Sequence, residues 1–200
     1  MNATLPWERY DAVMTPCVIE LPNDVLRMYY SAGESYEPDA IGVAHSYDGG
    51  HTWVKHGNPI FYPDPTSTHD NYKVTSPHVI FHESWYYLFY CGFRGIPIRV
   101  SVTVDVDHAT VNLARSRDGI SNWEKSTANP VVAPEPAEGS WNCDAVYKPF
   151  VAYDEKNQQW LLWYNGRCGG LERIGVSRLQ GKNFGSFEQR AGPATSLWYN

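Results

Sequence analysis

The chain has 200 residues, 42% of them hydrophobic and only 19% charged, which suits one globular domain with a substantial core. A formal net charge of −6 offers no broad attraction for phosphate backbones or anionic membranes, so nucleic-acid and lipid partners are not expected. A neutral or modestly charged small molecule fits better, and fourteen Tyr with eight Trp supply aromatic faces on which sugar rings stack, although such residues are also ordinary strand formers.

In chain order, residues 1–10 are a polar and aromatic lead-in. Asp11-Ala12-Val13-Met14-Thr15-Pro16 then leads into Val18-Ile19-Glu20, Leu26-Arg27-Met28-Tyr29-Tyr30 and Ile41-Gly42-Val43-Ala44-His45-Ser46. The β-branched and aromatic residues alternate with others and turn signals break the runs, which predicts three short strands. The third ends in Ser46-Tyr47-Asp48-Gly49-Gly50-His51-Thr52-Trp53, an S-x-D-G-G-x-T-W hairpin in which Asp48 bonds backbone N–H groups and Trp53 folds back, buried, onto the sheet. Asn58-Pro59-Ile60-Phe61 is expected as a fourth, outer strand.

The phrase returns twice. Tyr72-Lys73-Val74-Thr75-Ser76-Pro77 leads to Trp85-Tyr86-Tyr87-Leu88-Phe89-Tyr90-Cys91-Gly92 and Val111-Asn112-Leu113-Ala114-Arg115-Ser116, then the hairpin Ser116 to Trp123 with a second buried Trp, then Asn129-Pro130-Val131-Val132. Phe93 to Thr110 is an insertion whose Ile98 to Val104 alternates at strand period, a lengthened hairpin over the pocket. Asp144 to Tyr153, Trp160 to Arg167 and Glu172 to Ser177 form the third copy, read as three strands, with Leu179 to Phe184 in place of the aspartate hairpin. Pro16, Pro77 and Pro149 recur at roughly 60 to 70 residues, the size of a four-stranded propeller blade with long loops. The prediction is all-β: β-propeller blades of antiparallel four-stranded sheets in a single, partial propeller domain over 1–200, with blades at about 10–62, 70–133 and 141–200. Three blades do not close a ring, so self-association or further blades are expected to complete it.

Cys17, Cys91, Cys143 and Cys168 have neither C-x-x-C spacing nor a nearby His pattern, so no metal site is expected and they are read as free thiols packed in strands. No cofactor is expected. No apolar run approaches a membrane span and Met1 to Leu5 leads at once into Pro6-Trp7-Glu8-Arg9, so the chain as given is expected to be cytoplasmic.

Three successive blades built on D/K-x-V-x-x-P, W-Y-L-x-Y-x-G and I-G-x-A-x-S phrases, the first two ending in the S-x-D-G-x-x-x-W hairpin, resemble the five-bladed glycosidases of glycoside hydrolase families 43, 32, 68 and 130, over nearly the whole chain. The W-M-N-D-P-N-G, R-D-P and E-C segments of family 32 and the E-G-P of family 43 are absent. The resemblance implies a carbohydrate substrate and glycosidic cleavage by paired carboxylates in the propeller axis. Catalytic candidates by position are Asp11 and Asp144, at equivalent starts of inner strands, and Glu172, before the third strand of the last blade. Substrate-binding candidates are Asp70, Lys73, His78, Lys148 and Arg167. Each has a plain structural alternative: a strand-start cap for Asp11 and Asp144, a loop ion pair with Arg167 or Arg173 for Glu172, a solvated lysine for Lys73 and Lys148, a satisfied histidine for His78. A non-catalytic carbohydrate-binding propeller, or a glycoside phosphorylase using Arg167, Arg173 and Lys148 for phosphate, are the competing readings.

Overall fold

A computed structural model describes residues 1–8, 13–33, 39–98, 101–181, 184 and 188–189. Three four-stranded antiparallel sheets follow one another along the chain, and no helix occurs among the described residues. The first comprises β1 (Met14–Leu21), β2 (Val25–Ala32), β3 (Ala40–Ser46) and β4 (Val54–Lys55). The second comprises β5 (Lys73–His82), β6 (Trp85–Ile98), β7 (Ser101–Ser116) and β8 (Glu124–Lys125), and the third β9 (Ala145–Asp154), β10 (Gln159–Cys168), β11 (Leu171–Gln180) and β12 (Glu188–Gln189). The expected propeller blades are present, and the insertion in the second is the long β6–β7 hairpin, paired out to Ile98 and Ser101.

Blades stack face to face, so the second strands β2 and β6 are buried on both faces and carry apolar residues on both sides of the pleat, whereas β10 of the third blade alternates buried with half-buried residues. Tyr29, Ile41, Val74, Val79, Leu88 and Tyr90 fill the space between the first two blades. Phe89, Val111, Val146, Trp160, Leu162 and Tyr164 fill the space between the second and third. Adjacent residues of β6, Phe89 and Tyr90, thus face opposite cores, as the two-residue period requires.

Each first strand carries the same irregularity. One extra residue enters between Met14 and Cys17, between Thr75 and His78, and between Tyr147 and Phe150, opposite an unbroken partner strand. Proline supplies no N–H to the ladder, and the residue ahead of it adopts a left-handed backbone, φ 51° at Thr15, 53° at Ser76 and 53° at Lys148. Such a bulge re-aims its side chains, here toward the space enclosed by the three first strands.

A buried acid ties each of the first two blades together. Glu8 meets Lys55 at 2.6 Å and accepts the N–H groups of Thr4 and Leu5. Burial alone would raise its pKa, but Lys55, those two N–H groups and Tyr30 hold it below the usual value. Asp70 repeats the arrangement with Lys125 at 2.5 Å and the Tyr90 hydroxyl at 2.7 Å. In the third blade Asn142 stands in the acid's place, and Gln189 pairs with Ser177 where Lys55 pairs with Ala44 and Lys125 with Ala114. Trp7 stacks on Tyr30 as Trp141 stacks on Tyr164, each at 5.9 Å between centroids.

The aspartate hairpins fold as expected. Asp48 accepts from the Thr52 N–H and hydroxyl, and Asp118 from the Ile120 and Ser121 N–H groups and the Ser121 hydroxyl. The second hairpin also docks on the preceding blade: Arg27 donates to the Asp118 carbonyl at 2.6 Å and Tyr29 to that of Gly119 at 3.0 Å. Gly119 has φ +70° and no room for a Cβ, which would lie 2.6 Å from the Tyr29 hydroxyl. In the third blade Phe184 takes this place, packing on Tyr87, Phe89 and Trp160.

Four expectations need correction. The fourth strands are Val54–Lys55 and Glu124–Lys125, directly after the hairpins; Phe61 and Val132 add only single bridges to Ile41 and Val111, because a proline-containing step separates them from β4 and β8. The third blade has a fourth strand, β12. Trp53 and Trp123 are half-buried, since they cover the turns at the blade margin; Trp53 donates to the Gly50 carbonyl. Cys143 and Cys168 are not free thiols: they form a disulfide, because the antiparallel pairing of β9 with β10 brings Ala145 opposite Arg167 and so their neighbours together. Cys17 and Cys91 are free.

Truncating Lys125 in Lys125→Met leaves the 1% exposed Asp70 side chain facing an apolar neighbour and is expected to cost about 3 kcal/mol in denaturant unfolding. Arg115→Ala, which breaks the exposed pair with Glu124, is expected to cost under about 1 kcal/mol in the same measurement.

Candidate active site

The two residues ahead of each repeated proline converge. Met14 and Thr15 from β1, Thr75 and Ser76 from β5, and Tyr147 and Lys148 from β9 line one open cavity of about 360 Å³ at the axis, completed by Arg167 and Glu172 of the β10–β11 hairpin and by Cys91 and Phe93 of β6. The same bulges form the wall of a second depression of about 450 Å³ that contains His78 and Phe150.

One side of the main cavity is a hydroxyl cluster. Ser31, fully buried, meets the Thr15 hydroxyl at 2.7 Å, accepts from Thr75 at 3.1 Å and accepts the Ser76 N–H at 2.8 Å. The other side is charged. Arg167 and Glu172 are cross-strand partners two steps from the hairpin end, so their side chains leave the same face of the sheet. Glu172 also accepts from Asn165 at 3.4 Å. The Tyr147 hydroxyl bonded to it, with Asn165 and the charges of Lys148 and Arg167, holds the Glu172 carboxyl below its ordinary pKa against the opposing effect of burial. The same contact works oppositely on Tyr147, whose phenol is pushed well up by burial first, then by its hydrogen bond to Glu172 and by the Glu172 charge. At neutral pH Glu172 is therefore an ionised carboxylate carrying a phenol donor, next to two cations.

Of the sequence candidates, the fold brings Glu172, Lys148 and Arg167 together at this cavity. Asp11 lies outside the described residues. Asp144 is not among the lining residues: its N–H donates to the Arg167 carbonyl at 2.9 Å and its carboxylate accepts the Gly169 N–H at 2.8 Å, holding the β10–β11 turn. Asp70 lies in the buried tie with Lys125 and Tyr90. Lys73 is 4% exposed at the start of β5, its ammonium 5.3 Å from the centre of the Tyr72 ring. His78 lines the second depression, with Nε2 3.0 Å from the Val151 carbonyl and its ring against Phe150. Tyr147, Asn165 and Ser31 were not singled out from sequence. Their signal is positional: Met14, Thr75 and Tyr147 precede the repeated prolines by two, and Ser31, Cys91 and Asn165 are their cross-strand partners.

Cys143, Asp144 and Cys168 form the one cluster with metal-ligand character among the described residues. A cystine offers no thiolate, and thiolate is the ligating form, so this group clasps the hairpin that carries Arg167 and Glu172.

Two predictions follow from this geometry. Burial lowers the pKa of His78, with the Val151 carbonyl opposing it, so the unfolded chain, with an imidazole pKa of about 6.5, takes up the proton first as pH falls. Stability is full above about pH 6.5 and is lost as pH drops through the folded value. His45 shifts in the same direction and Glu8 acts at lower pH, so the expected result is a smaller stability loss between pH 7.5 and 5.5 in His78→Gln than in the unaltered protein. For the cystine, alkylation of the unfolded but unreduced protein is expected to block two cysteines, and Cys143→Ser with Cys168→Ser to cost about 3 kcal/mol in unfolding.

Among curated proteins there is no sequence match. Solved structures match widely at low identity. Zg3597, a family 117 glycoside hydrolase of the marine bacterium Zobellia galactanivorans, superposes with a TM-score of 0.70 at 17% identity, covering 95% of this chain and 60% of that one. A β-fructofuranosidase of Aspergillus kawachii complexed with glycerol gives 0.68 at 21% identity, covering 100% and 34%. The family 93 α-L-arabinofuranosidase of Fusarium graminearum with arabinobiose gives 0.59 at 17%, covering 96% and 54%. These likenesses show the fold, and the chain spans less than two thirds of each relative's length. Residues 4–107, just over half of the chain, match the glycoside hydrolase family 130 profile, described as β-1,4-mannooligosaccharide phosphorylase. The chain belongs to glycoside hydrolase family 130.

Proposed function

We propose that the axial cavity cleaves glycosidic bonds of a neutral oligosaccharide, with Glu172 as the ionised carboxylate of the reaction. The observation that carries this reading is the convergence of Glu172, Tyr147, Arg167 and Lys148 on one cavity formed by the first strands of three blades. Cleavage needs an acid to protonate the leaving oxygen and a group that activates or replaces water on the opposite face of the sugar. Glu172, with its lowered pKa, suits activation of the attacking water and orientation of a sugar hydroxyl; it is a poor proton donor. Among the described lining residues it is the one carboxylate, so the acid comes from outside them. Asp11 is retained as the candidate acid by its position in sequence, and Asp144 is assigned to holding the turn beneath Arg167.

A second reading is favoured by the two cations. Arg167 and Lys148 at one cavity suit an anionic acceptor, and the family's description as a β-1,4-mannooligosaccharide phosphorylase supports inorganic phosphate in that role. Phosphate then replaces water as the nucleophile, and Glu172 orients the sugar. The exposed apolar residues Phe150, Leu171 and Ile174 of the last blade are ground that further blades or a second copy would cover. We also propose an oxidising compartment rather than the cytoplasm expected from sequence, because disulfides persist where thiols are not kept reduced.

Turnover of β-1,4-mannooligosaccharides, measured on the native-length protein with and without inorganic phosphate, separates hydrolysis from phosphorolysis. Glu172→Gln is expected to lower kcat about a hundredfold or more, while Asp144→Asn costs about 1 kcal/mol of stability and keeps most of kcat. The acid limb of the rate profile is expected below the ordinary glutamate pKa. Unchanged kcat in Glu172→Gln rejects this assignment.

A further inference from the structure

A smaller depression of about 270 Å³ lies at the same end of the molecule, outside the axial cavity, between the first and second blades. Its walls are Trp7, Tyr62, Tyr72, Pro59, Pro63 and Asp39. Trp7 precedes β1, Asp39 precedes β3, Tyr62 and Pro63 belong to the link between blades, and Tyr72 precedes β5. All four segments sit where the first strands begin, which is the end that carries Tyr147, Arg167 and Glu172 in the third blade.

The two depressions are close neighbours. Phe93 lines the axial cavity, pairs with Lys73, and accepts the Tyr72 N–H at 3.1 Å through its carbonyl. Tyr72 lines the outer depression and packs against Gly95 of the long β6–β7 hairpin, 3.0 Å from where a Cβ would stand. The Lys73–Phe93 strand pair thus lies between the two depressions.

We propose that this depression is an outer subsite for one uncharged pyranose ring of a linear oligosaccharide whose reacting end occupies the axial cavity, a proposal that rests on the glycoside-cleaving reading. Tyr62, with Trp7, Tyr72 and two prolines around it, gives this small open recess an apolar lining of the kind that packs on the C–H face of a sugar. No cation is among the described lining residues, which favours an uncharged ring there over a phosphate or an acidic sugar. Its volume falls just under the roughly 300 Å³ at which pockets begin to enclose a whole small molecule, which suits one ring lying on a platform. Tyr62 is 53% exposed although it is a large aromatic residue, so its ring is available to a ligand at little cost to the fold. The consequence is a preference for longer chains, set by Tyr62 and Tyr72 and independent of the charged groups that perform the cleavage.

Calorimetric titration of the native-length protein with linear β-1,4-mannohexaose and with the corresponding disaccharide tests this without need of turnover. The hexaose is expected to bind about five to ten times more tightly than the disaccharide, and Tyr62→Ala to abolish that advantage. Tyr62→Phe keeps the ring and is expected to retain it. Equal affinities for the two lengths in the unaltered protein, or an advantage that persists in Tyr62→Ala, overturns the outer subsite. Failure of both sugars to bind overturns it together with the cleavage reading, whereas hexaose binding lost in Tyr62→Ala with kcat unchanged in Glu172→Gln overturns the cleavage assignment alone.

Discussion

The arrangement depends on a backbone constraint repeated three times: an extra residue in each first strand, held in the left-handed region ahead of a proline. A regular first strand would alternate its side chains between the two neighbouring blades and leave nothing aimed at the axis. The bulge breaks that alternation at one point, and a conformation uncommon for Thr, Ser and Lys persists because packing on either side fixes it. Pairs of side chains are turned into common space at Met14 and Thr15, Thr75 and Ser76, and Tyr147 and Lys148. Copies of one device with different side chains make a site whose walls differ: hydroxyls from the first two blades, a phenol and an ammonium from the third.

What holds the bulges in place lies farther out. The buried pairs of Glu8 with Lys55 and Asp70 with Lys125 tie the segment leading into each first strand to the fourth strand of the same blade. Tyr30 and Tyr90, from the second strands, bring their hydroxyls to the same carboxylates. Blade position is then set by the hairpins, through Asp118 and Gly119 carbonyls on Arg27 and Tyr29 at one interface and through the Phe184 ring at the next. The cystine adds a covalent clasp at the third blade, where Asn142 replaces the buried acid and the hairpin bearing Arg167 and Glu172 begins. The blade without the acid is thus the one with the covalent link, and it is also the blade that supplies the charged groups of the cavity.

The sequence by itself determined the repeats, the all-β class, the antiparallel blades and the aspartate hairpins, because alternation, turn chemistry and recurrence are local properties of a chain. It also brought forward Glu172 and Arg167, near the ends of the β10–β11 hairpin, and Lys148, beside the repeated proline of β9. Only the tertiary structure decided which positions around the repeated proline face the axis. A proline in a strand announces a break in the ladder, but the direction taken by its neighbours depends on the partner strand, so Tyr147 and Asn165 were passed over and Lys73 and Asp144 put forward. Asp70 is the same lesson in charge. A carboxylate near a strand start reads alike whether it faces a cavity or a buried lysine, and Lys125 is 55 residues away in the chain. Cys143 and Cys168, 25 residues apart, have no spacing that declares a bond; the register of β9 against β10 makes them neighbours.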